Sequence, residues 1–445
     1  MHTTEDQTVA AGHSLNGDLA LWQAGLEDLL GRVAGRFPRV EPRRRARAFV
    51  QGLLADLPRK NCWTIAEHAG DPSPGGMQHL LARAAWDHDG VRDDLRAYLV
   101  EHLGDPDGVL VVDETGDLKK GIQTVGVQRQ YTGTAGRVEN AQVAVLLVYA
   151  GPAGHGVIDR ELYVPRSWTR DPNRLRAGGV PDQVRFATKP ALATAMLCRA
   201  LDAGVPASWV TGDEVYGADP TLRAWLDAAS GMCWRWPATT RWWPQAAPGA
   251  PMSCASGSPH GPGSASRPAR APRATASTTG RSSSSTPATT TPRIPGSAGC
   301  WSAATAPAAS WPTTVASCPP RYRWPPWSTW RAGAGASKSA SRPARGLCGL
   351  DQPQVRRWRS WYRWVTLAMV AHAFLVAAAL TQHTRHPPPP ELLPLSCNEV
   401  SHLSAALLAR PLSGRAHRLR WSAWRRRHQA RARTCHYRRQ AAWDP

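Results

Sequence analysis

No aspartate or glutamate occurs in residues 228–350 of this 445-residue chain, although the stretch holds 13 arginines and lysines. Aliphatic residues are scarce there too: no leucine lies between Leu226 and Leu347, and Ile294 and Val315 are the lone isoleucine and valine. Pro, Ser, Ala, Thr, Gly, Arg and Trp dominate instead, a mixture that cannot bury enough apolar surface to offset the entropy of ordering a core. Paired cysteines are also missing. The nine cysteines are scattered, with no CxxC and no Cys/His cluster at zinc spacing, which argues against a disulfide framework and against structural zinc. Residues 1–23 carry Glu5, Asp6 and Asp18 without an apolar core, so no secretory leader is expected. The longest apolar run, residues 365–380, contains Thr366 and His372 and is short for a bilayer span. A buried helix, no membrane association and a cytoplasmic, nucleoid-associated location are expected.

What is present is positive charge. A formal net charge of +21 favours a polyanionic partner, with nucleic acid ahead of an anionic membrane surface. Residues 18–105 carry apolar positions at three-to-four spacing, as in MQHLLARAAW and VRDDLRAYLVEHL, and read as an N-terminal helical domain that is a candidate for DNA binding. Within it Arg43, Arg44, Arg45 and Arg47 form either a solvated helix face or a phosphate-contacting one. From residue 106 the texture changes to short β-branched runs, VLVVDETG, QYTGTAGRVENAQVAVLLVYA and VIDRELYVP, followed by helix, the strand SWVTGDEVYG and another helix. This pattern predicts an α/β core around a central sheet, its first part spanning 106–232. Residues 347–410 read as a C-terminal helical part of that core, and 411–445 as an Arg- and Trp-rich tail.

The intervening segment, 233–346, reads either as a basic disordered linker or as protein translated out of frame. Linkers of that kind are poor in tryptophan, yet this one contains RWPATTRWW and RWPPWSTW. Suppose the true frame takes the third base of each displayed codon and the first two of the next. Its middle base is then the first base of a displayed codon, and the T-first codons of Trp, Cys, Tyr and most Ser conceal apolar residues. With sensible free bases, residues 233–243 reread as the strand-like VLAVACDHPVV, and 332–346 as GGRWRIEECFQAGKG. A change of reading frame explains the composition better than a linker does.

Cleavage and transfer of a phosphodiester need an activated oxygen nucleophile and a stabilised leaving oxygen. Two divalent ions roughly 4 Å apart supply both, held by carboxylates converging from different elements. Asp113 ends the apolar run VLVVD before a polar turn, and Asp213 ends SWVTGD before EVYG. Each taken alone suits a turn-forming aspartate, but two such acids in matching strand-end contexts support one another. Glu114 and Glu214 follow directly, and strand alternation points them to the opposite side, where they would support the metal ligands rather than join them.

VVDETGDLKKG, QRQYTGTAGRVENAQVAV, WVTGDEVYG and WYRWVTLAMVAHAFL, in this order, resemble the DDE-superfamily endonucleases that serve as transposases of bacterial insertion sequences. The resemblance covers nearly all of 20–232 and 347–440. It implies a ribonuclease H-like catalytic core, Asp113 and Asp213 as catalytic metal ligands, a two-metal Mg2+ (or Mn2+) centre, transposon-end and target DNA as partners, and a homo-oligomer. It also implies a third carboxylate, a Glu on a later helix within an R-x3-E-x6-K pattern. The displayed chain has none. The reread string RWRIEECFQAGK contains the pattern, with its Glu on the codon now read as Lys338 and its Arg and Lys on Ala334 and Arg345. A cation therefore stands where the family needs a metal ligand, and loss of transposition is expected.

The tail holds ten arginines in residues 415–439, with Trp421, Trp424 and Tyr437 interleaved. Arg425, Arg426, Arg427, Arg431 and Arg433 are candidates for phosphate contact, the aromatics for stacking, and a disordered solubilising tail is the plainer reading. Two further function classes stand beside the transposase: a non-catalytic DNA-binding remnant that inhibits an intact relative, and a pseudogene product that folds poorly. A ribonuclease or recombination nuclease on the same fold is a weaker rival, because VENAQVAV and its Gly-Thr turn resemble the insertion-sequence group.

Overall fold

The computed structural model describes residues 4–228, 233–234, 346–387, 393–408 and 414–441. These residues fall within one compact unit made of Met1–Arg241 and Trp324–Pro445. Five helices come first: α1 (Thr4–Arg32), α2 (Val40–Leu54), α3 (Cys62–His68), α4 (Gly75–Ala82) and α5 (His88–Leu103). Their starts follow the local chemistry. Asn61 and Thr64 form a reciprocal capping box on α3, and the Asp87 carboxylate accepts the backbone N–H groups of Asp89 and Gly90 at the start of α5.

Six strands then form a single mixed sheet: β1 (Val109–Leu118), β2 (Gln128–Thr132), β3 (Arg137–Gly151), β4 (Gly154–Leu162), β5 (Trp209–Thr211) and β6 (Cys233–Trp234). The long β3 is antiparallel to β1 on one side. On its other side it carries β2 along residues 137–141 and β4 along 144–151. Beyond β1, the strands β5 and β6 run parallel to it. Between β4 and β6 lie α6 (Arg166–Thr169), α7 (Pro172–Gly178), α8 (Lys189–Asp202), α9 (Glu214–Gly217) and α10 (Pro220–Ala228). After them come α11 (Trp358–Arg385), α12 (Cys397–Leu407) and α13 (Arg415–Ala441). The mixed α/β core expected from the sequence is present.

Two strand boundaries differ from the sequence reading. β1 does not stop at Asp113 but continues to Leu118, because β3 pairs with it along the whole length, from Val109–Ala150 to Leu118–Ala141. β5 stops at Thr211, two residues before Asp213, because the Asp213 carboxylate starts a helix instead. Cys233 and Trp234, the first residues of the segment read as out of frame, form β6 against β5. The rest of that segment up to residue 345, with Lys338, Ala334 and Arg345, lies outside the described residues, as does the proline run at 388–390.

α11 is the centre of the unit. Every residue from Ser360 to Ala379 is buried, packed among α1, α2, α4, α5, α12 and β4. It is long and apolar enough to cross a membrane by composition, but its most apolar window is 89% buried in protein, as for the core helix of a soluble fold. Charged groups within this core make several bonds each. Arg363 donates to the carbonyls of Leu80, Leu81, Ala84 and Trp86, closing the C-terminal end of α4 while its guanidinium lies 5.0 Å from the Trp86 ring. On β4, Asp159 binds Arg199 of α8 at 2.9 Å, and Arg160 binds Asp89 of α5 at 3.0 Å. Glu161 binds Arg199 at 2.7 Å and accepts the Tyr362 hydroxyl at 2.7 Å. These bonds tie β4 to helices on both sides, and breaking one partner of such a buried pair costs far more than the pair contributes.

Candidate active site

The parallel pairing of β1 and β5 sets the site. Val109, Leu110 and Val111 lie opposite Trp209, Val210 and Thr211, and two residues further along each chain are Asp113 and Asp213. Both therefore sit at the carboxyl end of the parallel pair, where open α/β sheets bind ligands. Past Thr211 the second chain turns into α9. The Asp213 Oδ1 accepts the N–H groups of Val215 at 3.0 Å and Tyr216 at 3.4 Å, so the acid caps this short helix while remaining exposed. Glu214 is the first residue of α9 and is exposed, so strand alternation does not set its direction.

Strand alternation does govern β1. Asp113 shares its face with Thr115 and Asp117, which line a small cavity with Leu350, Asp351 and Trp361. That is the face on which the chain re-enters the described structure. Lys119 fastens it there by donating to the Pro353 carbonyl at 2.7 Å and pairing with Asp117. Burial raises the Asp117 carboxyl above its ordinary range, and Lys119 opposes the shift. Asp113 Oδ1 accepts the Glu114 N–H at 2.8 Å. The Glu114 side chain turns to the other face and pairs with Lys189, the first residue of α8, at 2.5 Å.

Tyr216 joins these acids. It is fully buried, and its hydroxyl has no hydrogen-bond partner among the described residues. Burial holds the phenol well above its usual range, and the negative charges of Glu114, Asp213 and Asp113 push it the same way. One orphaned donor thus lies within the field of three carboxylates. The resemblance implies a divalent metal at this place, and the donors suit one: all are hard carboxylate oxygens, and two acids with water suffice for Mg2+. The set is incomplete, since among the described residues no three His, Cys, Asp or Glu side chains group to hold a metal ion. Sequence reading missed Tyr216 and Lys189. The tyrosine lies in the quoted EVYG, but its burial comes only from the turn into α9, and Lys189 meets Glu114 across 75 residues.

The tail candidates separate into two groups. α13 packs its first half on α3. Trp421 is buried and donates to the Asp71 carbonyl at 2.7 Å, Trp424 meets Trp63 edge-on, and Arg425 pairs with Glu67. These aromatics hold the helix in place, Trp421 is buried away from any ligand, and Arg425 is committed to an ion pair. Arg426, Arg427, Arg431 and Arg433 are exposed on the same helix. In the N-terminal run, Arg47 is paired with Glu27 and Arg43 donates to the Phe37 carbonyl at 3.1 Å, and Arg43 and Arg44 are both exposed.

Comparison with known proteins places this arrangement. The family model of the DDE superfamily endonucleases matches residues 32–294. A 168-residue stretch is 32% identical to a "Probable transposase for insertion sequence element IS701" of Microchaete diplosiphon, covering 37% of this chain and 41% of that protein. The chain thus spans less than half of that relative's length. No solved structure matches it. With more than half of its residues under the family model, including Asp113 and Asp213, the chain belongs to the DDE superfamily of endonucleases.

Proposed function

We propose that this chain is an insertion-sequence transposase by descent that keeps a DNA-binding surface and two metal ligands but does not complete strand transfer. The observation that carries this reading is the β1–β5 register, in which Asp113 and Asp213 each follow the last paired residue by two positions at the carboxyl end of two parallel strands. The strand order, with an antiparallel β1–β3–β4 meander followed by parallel β5 and β6, supports a ribonuclease H-like core. Asp113 and Asp213 would hold Mg2+ or Mn2+, which when bound activates the attacking oxygen and stabilises the leaving one. The protein's own part is to hold these acids in place. The Asp213 cap on α9 fixes its carboxylate, Lys189 pairs with Glu114 beside them, and the Tyr216 hydroxyl is a donor within the field of all three acids. Exposed Arg426, Arg427, Arg431 and Arg433 suit DNA phosphates, and α1–α5 are the candidate for reading the element's ends.

Lys338 stands at the position the R-x3-E-x6-K pattern assigns to the third acid, and a cation there opposes metal binding. The deciding experiment incubates the purified chain with duplex carrying insertion-sequence ends in Mg2+ or Mn2+, beside a gel shift on the same DNA. Retained binding without cleavage is expected. Robust cleavage would overturn the loss of activity, and no binding would overturn the DNA reading. A chain that binds the ends without cutting would act as an inhibitor of an intact relative.

A further inference from the structure

We infer that the cleft between α6, α7 and the segment leading to α8 is a nucleotide site, taking one unstacked nucleotide of a bound DNA strand. The inference rests on the DNA-processing reading above. The cleft encloses about 540 Å³ and is lined by Thr169, Leu175, Arg176, Asp182, Arg185 and Phe186 among others, a size suited to a single nucleotide. Its lining offers what a nucleotide needs. Phe186 supplies an aromatic ring for a base, and Arg166 lies 4.5 Å over that ring, holding its orientation. Arg176 and Arg185 are exposed and form no ion pair among the described residues. Arg176 donates to the Asn173 side chain and Arg185 to nearby backbone carbonyls, which leaves both charges uncompensated for a phosphate. Asp182 is an acceptor suited to a base amino group.

Position links the cleft to the site. Phe186 packs edge-on against Tyr163 with ring centroids 6.4 Å apart, and Lys189 Nζ lies 5.9 Å from the Tyr163 ring. The same Lys189 binds Glu114, the neighbour of Asp113. These contacts join the cleft to Glu114 on β1, the strand that also carries Asp113. Across residues 163–188 five arginines face two acids, and one of these, Asp171, is spent capping α7, so the surroundings favour an anion.

The test measures binding of labelled single-stranded and blunt duplex oligonucleotides to the full chain by fluorescence anisotropy. Three variants are compared: the double variant R176A/R185A, the single variant F186L, and R427A/R431A on α13, which removes the same charge elsewhere. The cleft pair is expected to weaken single-strand binding by at least about tenfold while changing duplex binding by less than about threefold. F186L, which keeps an apolar side chain in the wall, should also weaken the single strand selectively. The α13 pair should weaken both DNAs alike. If the cleft pair has no effect, or lowers both DNAs equally as the α13 pair does, the nucleotide site is refuted while the DNA reading stands. If the unaltered chain binds neither DNA, both fall.

Discussion

Lys189, the first residue of α8, holds Glu114 of β1 at 2.5 Å, with the two side chains only 19% and 11% exposed. The pair closes the side of β1 opposite to Asp113 and brings a cation to within one residue of the candidate metal ligand. Removing the lysine takes the cation from a nearly buried carboxylate, and that loss exceeds what the pair contributes. K189A is expected to lower stability by about 1–3 kcal/mol, and adding E114Q should recover a large part of it. Urea denaturation of the two single variants and the double variant measures the coupling. Additive losses would show that the contact contributes nothing.

Gly116 follows the acids in DETG and is fixed by close approach to the next hairpin. A Cβ there would lie 1.7 Å from Thr132 Oγ1 and 2.7 Å from Thr132 Cβ, while the Gly116 N–H donates to Thr134 Oγ1 at 3.2 Å. G116A should cost about 1–3 kcal/mol from overpacking. Combining it with T132A should restore only part, because the Thr132 Cβ conflict remains. Thermal unfolding of the three proteins decides it, and an unchanged Tm for G116A would refute the clash.

Much of this was legible in the sequence. Apolar spacing marked the helices of the first hundred residues, and the β-branched runs marked β1 to β4. Asp113 and Asp213 stood out because each follows a strand-like run. The parts that escaped are tertiary. Nothing local reveals that β1 outruns Asp113, since β3 decides it by pairing as far as Ala141. Likewise β5 stops early because the Asp213 side chain competes with the strand for backbone donors and wins a helix start. The tail misled in a different way: its tryptophans look like stacking surfaces, and two of them instead anchor α13 to α3 through Trp63 and Asp71.

His372 sits fully buried in α11 with its Nδ1 unbonded, and burial, aided by His155, lowers its imidazole from 6.5 to about 3. Below pH 6.5 the unfolded chain takes up a proton that the folded chain refuses. Stability should therefore be flat with respect to this group above pH 6.5 and fall as pH drops from there toward about 3. The loss is about 2 kcal/mol by pH 5. Replacing His372 with leucine should flatten the acid side of the stability profile, measured by urea midpoints between pH 5 and 8. An unaltered slope would show that other groups carry the acid sensitivity.

Metal binding offers a direct test of the two aspartates. A ligand that binds only the folded state raises stability by an amount set by its concentration over its dissociation constant. Mn2+ at millimolar concentration is expected to raise the Tm of the full chain, and D113N or D213N should remove that shift while the protein remains folded. Y216F should keep its fold, since the hydroxyl it loses has no partner among the described residues, but should shrink the Mn2+ shift if the phenol supports the metal-bound acids. A Tm response that survives D113N and D213N together would place the metal elsewhere.

The change of frame makes the strongest demand. A gene rewritten so that residues 233–346 are read in the alternative frame replaces the acid-free stretch with one containing RWRIEECFQAGK, and so supplies a third carboxylate in place of Lys338. That stretch also restores the aliphatic residues a folded segment needs. Lys338→Glu alone adds the acid without the Arg and Lys of the R-x3-E-x6-K pattern around it and should leave the chain inert. The reframed chain is expected to cleave end-bearing duplex in Mg2+, and its D113N variant to lose that cleavage. Because both chains share Asp113, Asp213 and α13, a difference between them isolates the segment. A reframed protein that folds, binds the ends and still does not cut would refute the proposed role of a third acid at position 338.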